Sequence, residues 1–391
     1  MFFNLSRSQD SRFPNHFQLG ELTLSTDNGW QTNTTNQHMY IYKGYMESSK
    51  WDITVLESLQ DHDELGNFVC FRLDQQSGLI TMLTNRWRGV MIWFEPGAWI
   101  SNLVPGTHVI WNDSVVSVGQ DLIPVEQKID IIGEIDPTYL DVEQVVTRID
   151  TVLANRVANF VKHNHLPIKV FCSGGIDSTL VWSYIKRFSN DYELVLENRV
   201  QWDEFWCLNR KKITKNFWGY TQIHHWRDPC ILTSGTPGDE FMMRGPTTVN
   251  LWCMYHGIDI FDLLRTRDFL HYDYFMQDKH QKLFIQQQQD RALDPVMRLD
   301  RTDFIKYICN INANDCQHWH LGNTLTFTPL RDMQVLKLML ALDVDDLLSQ
   351  ALDSAISKRL IAQNDANLLS VLSDTKNIGE TLSNLAQCIS K

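Results

Sequence analysis

The sequence predicts an α/β protein: a strand-rich N-terminal region, then a region in which helices alternate with strands of a parallel sheet. Three observations carry this expectation. Short apolar runs separated by turn residues fill roughly the first 130 residues, as expected of half-buried strands. Beyond Pro137 the apolar residues recur at helical spacing instead. Helix, strand, glycine-rich loop and helix then follow one another, the order that begins a parallel sheet.

The elements follow in chain order. Asn67 to Leu73 and Leu79 to Leu83 are apolar runs joined by Asp74-Gln75-Gln76-Ser77-Gly78, which predicts a hairpin. Val90 to Phe94 resumes the pattern, Pro96-Gly97 and Pro105-Gly106 mark turns, and Val109 to Trp111 and Val115 to Val118 are weaker strands. Gly133 to Pro137 reads as a linker. Val142, Val145, Ile149, Val152, Leu153, Val157, Phe160 and Val161 share one helical face. Leu166-Pro167 ends that helix, because proline restricts the residue before it. Ile168 to Phe171 is a strand and Ser178 to Phe188 a helix, with further strands at Leu194 to Leu196 and Ile231 to Thr233. Residues 250–320 read mostly helical, Met333 to Leu348 as one amphipathic helix, and Leu352 to Ala362 as another.

At 391 residues, 43% hydrophobic and 21% charged, the chain is long enough for two domains and needs no disulfide to build a core. The expected domains are 1–132 and 138–391. The 35 basic and 47 acidic residues give a net charge of −12, which weakens phosphate attraction and argues against a nucleic-acid partner. No run of about 18 apolar residues predicts a membrane span, and Met1 to Phe13 lacks the parts of a signal peptide. A cytoplasmic protein without a membrane partner is therefore expected. None of the eight cysteines forms a Cys-x-x-Cys pair, and their spacing gives no disulfide framework.

The segment richest in chemistry is Cys172-Ser173-Gly174-Gly175-Ile176-Asp177-Ser178, between a strand and a helix. Adjacent glycines allow a tight turn that brings backbone N–H groups close to an anion. Ser173 and Ser178 add hydroxyl donors, and the positive end of the following helix points at the same place. Asp177 repels phosphate, so its expected task is to hold Mg²⁺, which bridges carboxylate and phosphate oxygens. The plain alternative is a strand-to-helix turn with capping serines.

This string resembles the pyrophosphate loop of the N-type ATP pyrophosphatases, a group that includes asparagine synthetase, β-lactam synthetase, GMP synthetase and NAD synthetase. The resemblance implies a PP-loop (adenine nucleotide α-hydrolase-like) parallel-sheet domain with a helical C-terminal part. It implies ATP and Mg²⁺ as cofactors, cleavage between the α and β phosphates, and Ser173, Gly174, Gly175, Asp177 and Ser178 at the nucleotide. Ser234-Gly235-Thr236-Pro237-Gly238-Asp239-Glu240 resembles the serine–glycine–x–glycine–x–aspartate–glutamate segment of asparagine synthetase. On that likeness Asp177 and Asp239 bind the metal, and Ser234 and Gly235 lie beside the adenylate.

Thr328-Pro329-Leu330-Arg331-Asp332 resembles the family's proline–phenylalanine–leucine–aspartate segment. Ser357-Lys358-Arg359-Leu360-Ile361 is similar to the stretch that carries its catalytic lysine, which makes Lys358 the expected catalytic residue. An ammonium there would stabilise the charge that develops as pyrophosphate leaves. Thr236 stands where asparagine synthetase has glutamate and β-lactam synthetase has tyrosine. Its hydroxyl does not titrate near neutral pH and makes a poor general base.

Gly66 to Asp74, Leu79 to Leu83, Asn85 to Gly89 and Pro105 to Val109 resemble the central hairpin and later turn of a class II glutamine amidotransferase. That implies an Ntn-like α+β sandwich, in the same domain order as asparagine synthetase. Such a glutaminase uses an N-terminal cysteine, whereas Met1-Phe2-Phe3 begins this sequence and Cys70 is its first cysteine. The expectation is a degenerate domain without glutaminase activity.

The expected function is an ATP-dependent ligase that activates a small-molecule carboxylate as an acyl-adenylate and uses ammonia or a substrate amine as nucleophile. A homodimer is compatible with it. A nucleobase- or tRNA-modifying ATP pyrophosphatase and a non-catalytic nucleotide-binding relative are the alternatives. Cys316-x-His318-x-His320 has no fourth nearby zinc ligand, and Arg210, Lys211, Lys212 and Lys215 read as a solvated basic face.

Overall fold

The computed structural model describes residues 3–46, 66–84, 92–102, 107–110, 114–128, 139–172, 174–196, 228–235, 238–244 and 324–372. Within them the chain is a mixed α/β protein with two antiparallel sheets and one parallel sheet.

The N-terminal part consists of β1 (Phe3–Ser6), β2 (Asn15–Leu19), β3 (Leu22–Thr26), β4 (Gln31–Thr34), β5 (His38–Met46) and β6 (Gly66–Asp74). These are followed by β7 (Ile80–Thr84), β8 (Ile92–Glu95), β9 (Trp99–Ser101), β10 (His108–Ile110), β11 (Ser114–Val118) and β12 (Pro124–Lys128). One antiparallel sheet has the order β10-β8-β9-β1-β3-β2, the other β12-β11-β7-β6-β5-β4. Their facing pleats bury one core: Phe3, Leu5, Leu22, Leu24 and Ile100 of the first sheet with Ile41, Phe71, Ile80, Met82 and Val116 of the second. The rings of Phe3 and Phe71 meet edge to face at 4.9 Å.

Alternation accounts for these strands. In β3, Leu22 and Leu24 join the core while Thr23 and Ser25 take the opposite pleat. That outer pleat is covered too, since Asp10 N–H donates to Ser25 Oγ and His16 Nδ1 lies 3.0 Å from the same hydroxyl. The expected hairpin is β6–β7, in register from Val69 opposite Thr84 to Leu73 opposite Ile80. Asp74 Oδ1 accepts from the backbone N–H groups of Gln76 and Ser77, and Gly78 supplies the left-handed φ of +71° that closes the turn. A charged pair lies inside the sandwich. Lys43 Nζ donates to Asp27 Oδ2 at 3.0 Å and to Asn28 O at 2.6 Å, and Trp30 Nε1 donates to Asp27 Oδ1. Burial pulls the Lys43 ammonium below its ordinary pKa, and Asp27 opposes that shift.

The second part begins with α1 (Val142–His163), opened by a capping box in which Asp141 and Gln144 satisfy each other's backbone N–H. Its buried stripe is Val145, Val146, Ile149, Leu153, Val157 and Phe160. Then come β13 (Ile168–Cys172), α2 (Ile176–Phe188), β14 (Glu193–Leu196), β15 (Cys230–Thr233), α3 (Gly238–Phe241) and β16 (Thr324–Phe327). The parallel sheet has the order β14-β13-β15-β16. Helix α2 packs against β13 and α1, and Tyr45 at the end of β5 meets the ring of Phe327 at 6.4 Å.

The C-terminal helices differ from the sequence reading. Met333 to Leu348 is two helices, α4 (Met333–Leu340) and α5 (Val344–Asp353). The break follows from capping: Asp343 accepts from the backbone N–H of Asp346 and starts a new helix, an alternative that a purely apolar pattern hides. The next helix, α6, spans Ala355–Asp365 rather than 352–362, because Ser354 adopts a left-handed φ of 55° and ends α5. Helix α2 starts at Ile176, two residues before its expected start. The linker at 133–137 and the region 250–320 lie outside the described residues.

Candidate functional site

In the parallel sheet, β13 to β16 present their C-terminal ends on one edge. The chain leaves β13, returns beside it as β14, and then crosses to the other flank as β15. The crevice between the ends of β13 and β15 is therefore a topological switch point, where open parallel sheets take ligands. The two sequence motifs leave from those two ends.

After β13, Gly174 holds a φ of +77°, which is strained for any residue with a side chain. Gly175 is the N-cap of α2, and no side chain caps that terminus. First-turn N–H groups and the helix dipole at such a terminus favour an anion. Ser178 is buried, with its hydroxyl 2.9 Å from the Gly175 carbonyl, to which it donates; Thr179 Oγ1 and N–H donate to the same oxygen. Ser178 would have to rotate to serve a phosphate. Burial pushes the Cys172 thiol up to about 11, so it stays protonated near neutral pH.

After β15, Ser234 is buried and its N–H donates to the Phe327 carbonyl at 3.2 Å. Gly235 and Gly238 are seated directly on the other loop. A Cβ at 235 would lie 2.3 Å from the Asp177 carbonyl carbon, and one at 238 would lie 2.3 Å from Asp177 Cγ. Glycine is required at both positions by this approach. Residue 237 is proline, and the second contact is made by Gly238.

A third segment joins them. Arg244 Nη2 donates to Asp177 Oδ2 at 2.5 Å, and Nη1 donates to Ser354 Oγ at 3.2 Å, with the two charged side chains only 19% and 16% exposed. Ser354 sits at the α5–α6 corner, which Gln350 holds. Its amide donates to Met242 O and Ser357 Oγ and accepts from the N–H groups of Ile356 and Ser357. Lys358 is half-buried in the first turn of α6, and its N–H donates to Ser354 O at 2.8 Å. Position 358 is thus one turn from the Arg244 contact.

Of the expected site residues, the structure brings Gly174, Gly175, Asp177, Ser178, Ser234 and Gly235 together at one edge, with Lys358 on the adjoining helix. Ser173, Thr236 and Pro237 lie outside the described residues, as does the side chain of Asp239, whose backbone follows Gly238 in α3. Among the described residues no group of three or more His, Cys, Asp or Glu is placed to hold a metal. Cys316 to His320, and Arg210 to Lys215, are also outside. Asp332 has a structural place: it caps α4 by accepting from Gln334 N–H, beside Arg156, which donates to the Pro329 and Arg331 carbonyls.

Sequence reasoning missed Arg244, Gln350 and Arg156. Arg244 and Arg156 act across long stretches of chain, 67 residues from Arg244 to Asp177, while Gln350 bonds both its neighbours Ile356 and Ser357 and the distant Met242 carbonyl. A cleft of about 460 Å³ lined by Thr147, Asp150, Arg187, Gln363 and Asn364 lies at the opposite end of α2, roughly 20 Å of helix away. In the sandwich, Cys70 is fully buried in β6 and burial raises its thiol to about 12, so it stays protonated near neutral pH.

No model of a known protein family matches the chain, and no curated protein matches it.

Proposed function

We propose that the chain is an ATP-dependent ligase that forms amides in the manner of asparagine synthetase. In this reading the parallel sheet is a PP-loop domain and the sandwich a degenerate, Ntn-type glutaminase-like domain. The observation that carries it is the seating of Gly235 and Gly238 on Asp177, which joins the two family-like loops in the switch-point crevice.

The backbone of Gly174 to Ser178 would cradle the triphosphate against the start of α2. Asp177 and Asp239 would hold Mg²⁺, and their oxygen-only donor set suits it. Bound there, the ion would offset phosphate charge. Lys358, on the first turn of α6, would add a positive charge toward the departing pyrophosphate. A substrate carboxylate oxygen attacks the α-phosphorus, the bond to the β-phosphate bridge breaks, and an acyl-adenylate forms. An amine nitrogen then attacks the acyl carbon, AMP leaves, and the nitrogen gives a proton to solvent. In this reading the glutaminase-like domain is inactive, and the nitrogen comes from free ammonia or a substrate amine.

Incubation with ATP, Mg²⁺, ammonium and a library of small carboxylates tests this reading. AMP and pyrophosphate are the expected products, with no glutamate released from glutamine. ADP and orthophosphate would contradict the mechanism. Pyrophosphate release that requires RNA would replace the carboxylate with a nucleobase substrate.

A further inference from the structure

We infer that Arg244 is a resident counter-cation that competes with a divalent metal for Asp177, so that the carboxylate becomes a metal ligand only when Arg244 is drawn away. The inference rests on the proposed role of Asp177 at a metal–nucleotide site. The carboxylate is enclosed on two sides. The Gly238 backbone packs against Cγ and Oδ1, and the guanidinium holds Oδ2 at 2.5 Å. Both charged side chains are mostly buried, where water and salt screen them weakly. A second cation on the same carboxylate would face the guanidinium at close range and be repelled by it.

Arg244 also has somewhere to go. A triphosphate bound along Gly174 to Ser178 would bring anionic oxygens next to Asp177, and a guanidinium pairs with phosphate as well as with carboxylate. Its Nη1 is meanwhile tethered to Ser354 Oγ at the α5–α6 corner, the helix that carries Lys358. Release of Asp177 and arrival of phosphate are then one exchange. Metal alone binds poorly, and metal with nucleotide binds well. A purely structural tie between three segments would behave differently: its loss would lower stability and leave metal affinity untouched.

The test is Mn²⁺ titration of the full chain, followed by electron paramagnetic resonance without nucleotide and again with a non-hydrolysable ATP analogue. Arg244→Gln should bind Mn²⁺ at least tenfold more tightly than wild type without nucleotide, and Arg244→Lys should stay near wild type. With the analogue present the difference should shrink, and adding Asp177→Asn to Arg244→Gln should abolish the gain. Ser354→Ala keeps the ion pair but loosens its tether, and should give a smaller rise of the same sign even where Arg244→Gln does not fold. Equal Mn²⁺ affinity across wild type, Arg244→Gln and Ser354→Ala, with the analogue still bound, would overturn the inference and leave the nucleotide site standing. Failure of wild type to bind the analogue at all would instead overturn the reading on which it rests.

Discussion

The β-sandwich and the parallel-sheet region bury polar groups to different ends. In the sandwich they close the structure on itself. Asn102 and Ser101 both hydrogen-bond the backbone of Phe3, and Lys43, Asp27 and Trp30 form one internal cluster. In the parallel-sheet region, Asp177, Arg244 and Ser354 gather instead at the edge where the strands end. Sheet direction explains the contrast. Antiparallel strands send their connections to both ends, whereas three parallel pairings place every strand's C-terminal loop on one side. Two of the buried thiols sharpen the lesson, because Cys70 and Cys172 are both raised by desolvation and, of this pair, the second borders the crevice.

The largest effect on stability should come from the sandwich core. Leu24→Ala removes a fully buried side chain and should cost about 2–5 kcal/mol in denaturant unfolding. Calorimetric ATP binding should be unchanged at temperatures where the variant stays folded. A matching loss of ATP affinity would show that the two regions do not divide the work in this way.

Gly238→Ala should cost less stability, about 1–3 kcal/mol from overpacking against Asp177. It should nevertheless weaken Mg-ATP binding at least tenfold in the same calorimetric assay, reversing the pattern of Leu24→Ala. Unaltered binding would separate the second loop from the nucleotide site.

The contrast also marks how far the sequence could be read. Hairpin β6–β7, helix α1 and the strand–loop–helix from β13 to α2 were legible because local chemistry decides them: an Asx turn with glycine, a capping box on an apolar stripe, and two glycines before a helix. Strand β3 alternates too, but its polar side chains are also buried, Ser25 beneath the Asp10 backbone and Thr23 against Gln18, and β4 is polar and exposed throughout, which a period alone does not reveal. The break between α4 and α5 was hidden because Leu342 and Leu347 continue the apolar pattern across the cap at Asp343. In the site, the glycines and Asp177 belong to contiguous motifs. Arg244 acts only after folding brings distant segments together, so nothing near it in sequence points to Asp177, and Gln350 joins its near neighbours Ile356 and Ser357 to the distant Met242 carbonyl.

The smallest effect lies on the far side of α2. Lys186 and the N–H of Asn367 hold the Asp365 carboxyl below its ordinary value of 3.8. Its folded pKa is thus lower than its unfolded one. The stabilisation is complete above pH 3.8 and is lost as pH falls through the folded value. Asp365→Asn should lower stability at neutral pH by up to about 1 kcal/mol, and the difference from wild type should fade in thermal melts taken toward pH 2. Mg-ATP affinity should not move.

Calorimetric titration of Mg-ATP into wild type and Asp177→Asn tests the central claim most directly, with circular dichroism to verify the fold of each. The account predicts saturable binding to wild type and at least a tenfold loss in the folded variant. Equal binding by both proteins, or none by wild type, would contradict it.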